Sequence, residues 1–350
     1  MAVLRAEPVR IPTPTYTPTP TPTPIPTSVP KPTTDPTVIA NLLSQPWVQG
    51  QITVLVSSMV VSPDQSTIFA TGPAGDRNPD ALFRSTDGGR TWVLSATGSP
   101  RTGPIKADLL VFDPVDFQIV YGDNGTWRSE NGGRSWTRSP SVPTSPFVAY
   151  RDVLYAGEFR STDRGETWRP SPFLTRTELI PLGNPSVLYA VAPTSGGTTY
   201  SLRMSTDGSS WEGVRVLPEM QGSQSNKVFI IDYSDPPNIY VGTSEALFRA
   251  NALDPKEWSR IAWPPEKRQS VSSIAVHPTN PYILAITTNG RIFVTFDGGS
   301  SWVELPKPEY MIGNVIRQAG ANKLVVTGGA DPQVCVGTGV GVWCHDLSIN

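Results

Sequence analysis

The sequence predicts an all-β chain: a seven-bladed β-propeller of four-stranded antiparallel blades, preceded by a disordered, polyproline-like Pro/Thr stalk. Three observations predict it. A short motif ending in tryptophan recurs at blade spacing, each copy follows the same strand–turn–strand run, and the end of the chain repeats that run without the motif.

Composition bounds the fold first. Charged residues are 17% of the 350, while Gly (30) and Pro (37) are plentiful, as many short strands joined by turns require. A net charge of −2 gives no electrostatic handle for nucleic acid. No run of 18 apolar residues occurs, so no membrane-spanning helix is expected. The opening MAVLRAEPVR has no apolar h-region, so if the chain is exported its signal is expected to have been removed or truncated.

Residues 8–36 are almost wholly Pro and Thr. Proline fixes φ and removes the amide donor, and little here is apolar enough to bury. Residues 1–39 are therefore assigned to an extended stalk or linker, and residues 40–350 to a single propeller. About 25 residues of polyproline geometry reach roughly 80 Å. Such tracts either carry O-glycans on exported proteins or serve as inert linkers.

Six segments then align: RSTDGGRTW (84–92), RSENGGRSW (128–136), RSTDRGETW (160–168), MSTDGSSW (204–211), RANALDPKEW (249–258) and VTFDGGSSW (294–302). Their tryptophans are 44, 32, 43, 47 and 44 residues apart, against about 40–45 residues per propeller blade. Runs such as NIYVGTSEALFRAN (238–251) and ILAITTNGRIFVTFDGG (283–299) supply strands B and C before the motif. Upstream runs such as MVVSP, LLVFDP and IAVHP supply strand A, and strand D follows the tryptophan. NKLVVTGGADPQVCVGTGVGVWCHD (322–346) repeats strands A to C and then the chain ends. SQPWVQG (44–50), with Trp47 in the place of the motif tryptophans, supplies the missing strand D. That closes the ring and removes exposed edges. Seven blades is the reading; the 32-residue interval leaves six or eight open.

The motif S-x-D-x-G-x-T-W resembles the Asp-box, or BNR repeat, of sialidases, sortilin-type receptors, xyloglucan-cleaving hydrolases and photosystem II assembly-factor propellers. The resemblance extends over essentially all of residues 45–347. It implies the fold strongly and the function weakly, because those families do unrelated things. The residues make sense as a turn. Ser85 and Asp87 bond the local backbone, Gly88 and Gly89 permit positive φ, and Trp92 buries a large ring. The same structural role is expected of Ser129, Gly133 and Trp136; Ser161, Asp163, Gly165 and Trp168; Ser205, Asp207 and Trp211; and Asp297, Gly299 and Trp302. Blade five has lost the pattern (Asn251, Leu253, Pro255), and blade four is one residue short before Trp211. Arg84, Arg128, Arg160 and Arg249 share one register, either as an anion-binding ring or as packing between blades.

Cys335 and Cys344 flank a two-residue hairpin loop, Gly339-Val340. Counting back pairs 335 with 344 at a non-hydrogen-bonded position, where Cα atoms are about 4.5 Å apart. A cross-strand disulfide is expected, which fits an oxidising compartment; two buried thiols are the alternative. With His345 these make too small a set for a metal, and neither a metal nor a cofactor is expected.

Sialidase-like enzymes, as a family, use an arginine triad, a Tyr/Glu pair, an acidic Asp and an R-I-P motif. Here Arg10-Ile11-Pro12 lies in the stalk, where no core holds it. Nucleophile-elbow, zincin, P-loop and dinucleotide motifs are missing. Carboxylates at the ends of inner strands, such as Asp113 and Asp232, would serve as an acid/base pair only if they converged, and nothing in the sequence says that they do. Alternating connections put the A–B turns and box turns on one face and the B–C and D–A loops on the other. The long loops of that second face carry Asp76, Arg77, Arg101, Lys106, Lys267 and Arg268, the expected binding surface. The functional expectation is a monomeric, non-enzymatic module, secreted or at the cell surface and possibly tethered through its N-terminus. Its ligand is a protein or glycan. An assembly factor of the photosystem II type and a sialidase-like glycoside hydrolase are the alternatives.

Overall fold

The computed structural model describes residues between 35 and 348. Outside it lie segments 52–54, 74–79, 98–104, 140–146, 157–158, 172–177, 181–186, 194–199, 215–227, 244–245, 263–270, 289–290, 307–323, 329–330 and 339–340, with residues 124, 209, 233, 235 and 279. The chain enters through α1 (Pro36–Ser44) and β1 (Val48–Gln49). Blade one is β2 (Ser58–Val61), β3 (Ile68–Pro73), β4 (Asp80–Ser85) and β5 (Val93–Thr97). Blade two is β6 (Val111–Phe112), β7 (Val120–Gly122), β8 (Trp127–Ser129) and β9 (Thr137–Arg138). Blade three is β10 (Phe147–Tyr150), β11 (Val153–Ala156), β12 (Phe159–Ser161) and β13 (Arg169–Pro170). Blade four is β14 (Glu178–Ile180), β15 (Leu188–Pro193), β16 (Tyr200–Ser205) and β17 (Glu212–Gly213). Blade five is β18 (Val228–Ile231), β19 (Asn238–Gly242), β20 (Leu247–Asn251) and β21 (Ser259–Ile261). Blade six is β22 (Val271–Val276), β23 (Leu284–Thr288), β24 (Arg291–Thr295) and β25 (Val303–Glu304).

Blade seven combines both ends of the chain: β26 (Leu324–Val326), β27 (Gln333–Thr338) and β28 (Gly341–Asp346) are completed by β1. The register is Val48 opposite Cys344 and Gln49 opposite Trp343. The seven-bladed ring closed by the segment at Trp47 is thus as the repeat spacing predicts.

Packing shows why the ring holds. Each junction between neighbouring blades has its own apolar cluster, one of which joins blade seven to blade one through Val325, Val342, Met59 and Ile68. The tryptophan ahead of each outer strand lies in the cluster shared with the preceding blade: Trp92, Trp136, Trp168, Trp211, Trp258 and Trp302, and Trp47 for blade seven. Among the described residues its indole N–H reaches back from Trp136 to Ser95 Oγ at 2.9 Å, from Trp302 to the Ala262 carbonyl and from Trp47 to the Pro306 carbonyl, both at 2.6 Å. A ring with an apolar body and a polar tip suits such a wedge.

α1 is an addition to the sequence reading, which gave residues 36–39 to the stalk. Asp35 caps it by accepting the Thr37 N–H at 2.8 Å, and Pro36 opens its first turn, both ordinary start signals. Leu42 is buried in the cluster between blades six and seven.

The Cys335–Cys344 disulfide is present, with Cα atoms 4.1 Å apart in the predicted register. It sits at the closure of the ring. β1 pairs at Cys344, and a Cβ added to Gly89 of blade one would lie 2.9 Å from Cys344 Sγ. Closing so short a loop stabilises by about 2.5 kcal/mol. A Cys335→Ser, Cys344→Ser chain should lose about that much in urea titration. With both sulfurs buried, dithiothreitol should reduce the bond only where urea opens the ring.

Candidate functional site

The box turns come first because they fix the rest. In blade one the Ser85 hydroxyl accepts the Gly89 N–H at 2.9 Å and donates to Asp87 Oδ1 at 2.8 Å, and Asp87 Oδ1 accepts the Thr91 N–H at 2.9 Å. Blade two repeats this with Ser129, Asn131, Gly133 and Ser135, and blade three with Ser161, Asp163, Gly165 and Thr167. In blade six Thr295 replaces the serine and Asp297 accepts from Ser301. Blade four keeps both bonds one residue shorter, Gly208 to Ser205 and Ser210 to Asp207. Hydrogen bonds from the Thr167 side chain and backbone hold the exposed Asp163 carboxyl down to about 2. These carboxylates are occupied by their own turns.

The arginine register works between blades. Arg84, buried, donates to the Gly132 carbonyl of blade two at 2.7 Å. Arg128 pairs with Glu130 and, in the next blade, with Glu166 at 3.5 Å. Arg249 lies beside Gly298 of blade six. Arg160 is exposed. The structure thus joins three of the four to the next box rather than to a common ligand.

Asp113 and Asp232 do not form a pair. They sit on the A–B turns of blades two and five and are used there. Asp113 Oδ1 accepts the Val115 and Asp116 N–H groups, and Oδ2 lies 3.4 Å from Arg164 Nε. Asp232, fully buried, accepts from the Ser234 hydroxyl, the Asn238 amide and N–H, and Tyr240 Oη at 3.2 Å. Burial pushes its carboxyl up. The corresponding turn of blade six is capped by His277, whose Nδ1 accepts the Asn280 N–H at 3.0 Å.

Burial lowers His277 from 6.5 to about 4. The unfolded chain therefore takes the proton first, and stability falls as pH drops from about 6.5 to about 4, then levels. The loss is about 3 kcal/mol. Burial lowers His345 in the same direction. Denaturation midpoints at pH 7.5 and 4.5 should differ accordingly, and His277→Gln should remove most of the difference.

Of the expected binding surface, Asp76, Arg77, Arg101, Lys267 and Arg268 lie outside the described residues. Lys106 is described: it is exposed, and its charge lowers the carboxyl of Asp123, which burial otherwise raises.

Sequence reasoning missed a polar cleft of ≈ 420 Å³ on blade five, lined by Asn238, Arg249, Asn251, Lys256, Glu257 and Ser259 among others. The signal was the eroded box. Ala250 and Ala252 stand where other blades carry the serine and aspartate, and the turn is one residue longer. Asn251 Oδ1 accepts the Leu253 N–H at 2.8 Å instead. Among the described residues no three His, Cys, Asp or Glu side chains gather as a metal site.

No family model matches the chain. A photosystem II assembly lipoprotein Ycf48 from Synechococcus sp. (strain CC9902) is 23% identical over 297 residues, covering 80% of this chain and 85% of that protein. The solved structure of YCF48 bound to D1 peptide superposes with a TM-score of 0.52 at 16% identity, covering 87% of this chain and 95% of that one. The extracellular domain of BT4673 from B. thetaiotaomicron gives 0.54 at 14% identity, covering 87% and 40%. This chain is a seven-bladed β-propeller. A Paenibacillus sp xyloglucanase is 27% identical over 254 residues, 66% of this chain. The chain spans less than a third of the xyloglucanases' length, 24% in that case and 31% of Xgh74A from Acetivibrio thermocellus. No helix among the described residues is long and apolar enough to cross a membrane.

Proposed function

We propose that this propeller is a non-catalytic binding module that captures a protein partner on the face bearing the B–C and D–A loops. The observation that carries the reading is the use already made of its acids: the inner carboxylates Asp113 and Asp232 cap turns in separate blades, and the box acids close their own turns. Catalysis by paired carboxylates needs them to face one bond. Similarity over 85% of the length of a photosystem II assembly lipoprotein supports the reading too. The buried disulfide supports placement outside the cytosol, with the Pro/Thr tract as spacer.

The test compares the full chain with Arg77→Gln, Arg101→Gln, Arg268→Gln as affinity baits in extracts of the source cells. The triple variant should lose its specific partner at unchanged melting temperature. Equal capture by both baits refutes the loop-face reading. A second reading, a glycoside hydrolase part, is favoured by the xyloglucanase similarity. Release of reducing ends from xyloglucan by the purified chain would establish it instead.

A further inference from the structure

We propose that the cleft on blade five binds a neutral oligosaccharide. The site goes beyond the protein-binding reading and does not depend on it.

The cleft opens where the repeat departs from its own rule. In the intact boxes a hydroxyl and a carboxylate or carboxamide fill the turn. In blade five Ala250 and Ala252 replace those side chains and are buried in the apolar cluster between blades four and five, so the turn closes through Asn251 and Leu253 instead, and local rules broken in one copy of a repeat mark sites under other demands. The wall of the cleft lies on the other face of the strand from those alanines and is organised by the sheet. Asn238 lies opposite Asn251, and Arg249 opposite Ser259. Opposite residues of antiparallel strands share a face with Cβ atoms about 5 Å apart, and 249 and 251 share a face by alternation. Four polar side chains therefore form one flat wall, with Glu257 and the Lys256–Asp254 ion pair at its rim.

The wall is held from behind. Buried Asp232 accepts from Asn238 Nδ2 at 2.9 Å and from Tyr240 Oη at 3.2 Å, and Tyr240 in turn faces Arg249. Fixing Asn238 by its NH₂ group leaves its Oδ1 as an acceptor with no partner among the described residues. Asp232 is thus a positioning residue for the cleft.

The chemistry selects the ligand. Two cations and two anions line the cleft, so their charges cancel and an anion or cation gains nothing overall. The lining is almost wholly polar, whereas pockets for apolar ligands are walled by hydrophobic side chains. A ligand with several hydroxyls, each donating and accepting, satisfies carboxamide, guanidinium, carboxylate and hydroxyl groups together.

The full chain is titrated with cellotetraose, xylotetraose and maltotetraose, and with 3′-sialyllactose as the charged comparison, by calorimetry up to about 10 mM. At least one neutral tetraose should bind saturably and more tightly than sialyllactose. Glu257→Ala, and Ser259→Trp, which fills the cleft from its exposed rim, should each weaken it tenfold or more. Arg260→Gln, exposed in the same strand and opposite Phe248, should leave it unchanged. No saturable binding of any neutral tetraose, preference for sialyllactose, or undiminished binding by folded Ser259→Trp overturns the proposal. Partner capture is read separately, so loss of one activity with the other intact tells the two readings apart.

Discussion

Removing residues 35–50 should abolish the stable disc, with a loss of at least about 5 kcal/mol relative to the intact chain. Three things go together. Leu42, 4% exposed, and Trp47 leave the cluster between blades six and seven. The Pro306 carbonyl loses the Trp47 N–H, and Trp47 no longer packs edge-on to His345 at 5.1 Å. β28 loses its partner, including the Gly50 N–H to Val342 carbonyl bond at 2.9 Å, and becomes a bare edge open to other chains. Loss of buried Leu42 and of half-buried Trp47, together with the exposed edge of β28, accounts for the magnitude. The readout is the urea midpoint, with aggregation followed by light scattering. A peptide of residues 35–51 added in trans should restore part of the stability, because the groove it leaves is built by blades six and seven. If the shortened chain melts with the intact one, this segment does not close the ring.

What the sequence made legible follows from where the information is local. The box is a turn closed by residues two to four apart, so its serine, acid and glycine recur visibly. Its tryptophan recurs because every blade junction needs the same wedge. The disulfide was readable because a two-residue loop sets the register of its hairpin. Helix α1 was missed although Asp35 and Pro36 announce it, because the start signal lies inside a tract of prolines that reads as stalk. The blade-five cleft was missed for a deeper reason. Its wall residues lie on three strands, and only the register of Asn238 with Asn251 and of Arg249 with Ser259 brings them together. Asp113 and Asp232 stand at the ends of inner strands, and the sequence left open whether they meet; each is consumed by backbone N–H groups of its own turn, which composition does not reveal.

Gly299→Ala should cost about 4 kcal/mol, while Gly165→Ala, at the same box position in blade three, should cost about 1 kcal/mol. Both glycines have left-handed backbones, φ +94° and +89°, so any added side chain carries the same conformational penalty. They differ in what a methyl would meet. At Gly299 it would overlap Ile261 Cγ2 of the preceding blade, whereas at Gly165 its nearest neighbour among the described residues is Leu154 Cδ1 at 3.7 Å. The difference between the two variants is therefore the overpacking at the junction of blades five and six. Ile261→Ala alone leaves a hole and costs about 3 kcal/mol. Combined with Gly299→Ala it should cost less than the two added together, with a favourable coupling of about 2 kcal/mol. Urea titrations of the four chains measure the cycle. Equal losses for Gly299→Ala and Gly165→Ala would show that strain in the turn, and not contact between blades, is what the glycine relieves. A zero coupling would detach the box turn from the preceding blade's outer strand, and with it the account of how neighbouring sheets are keyed together.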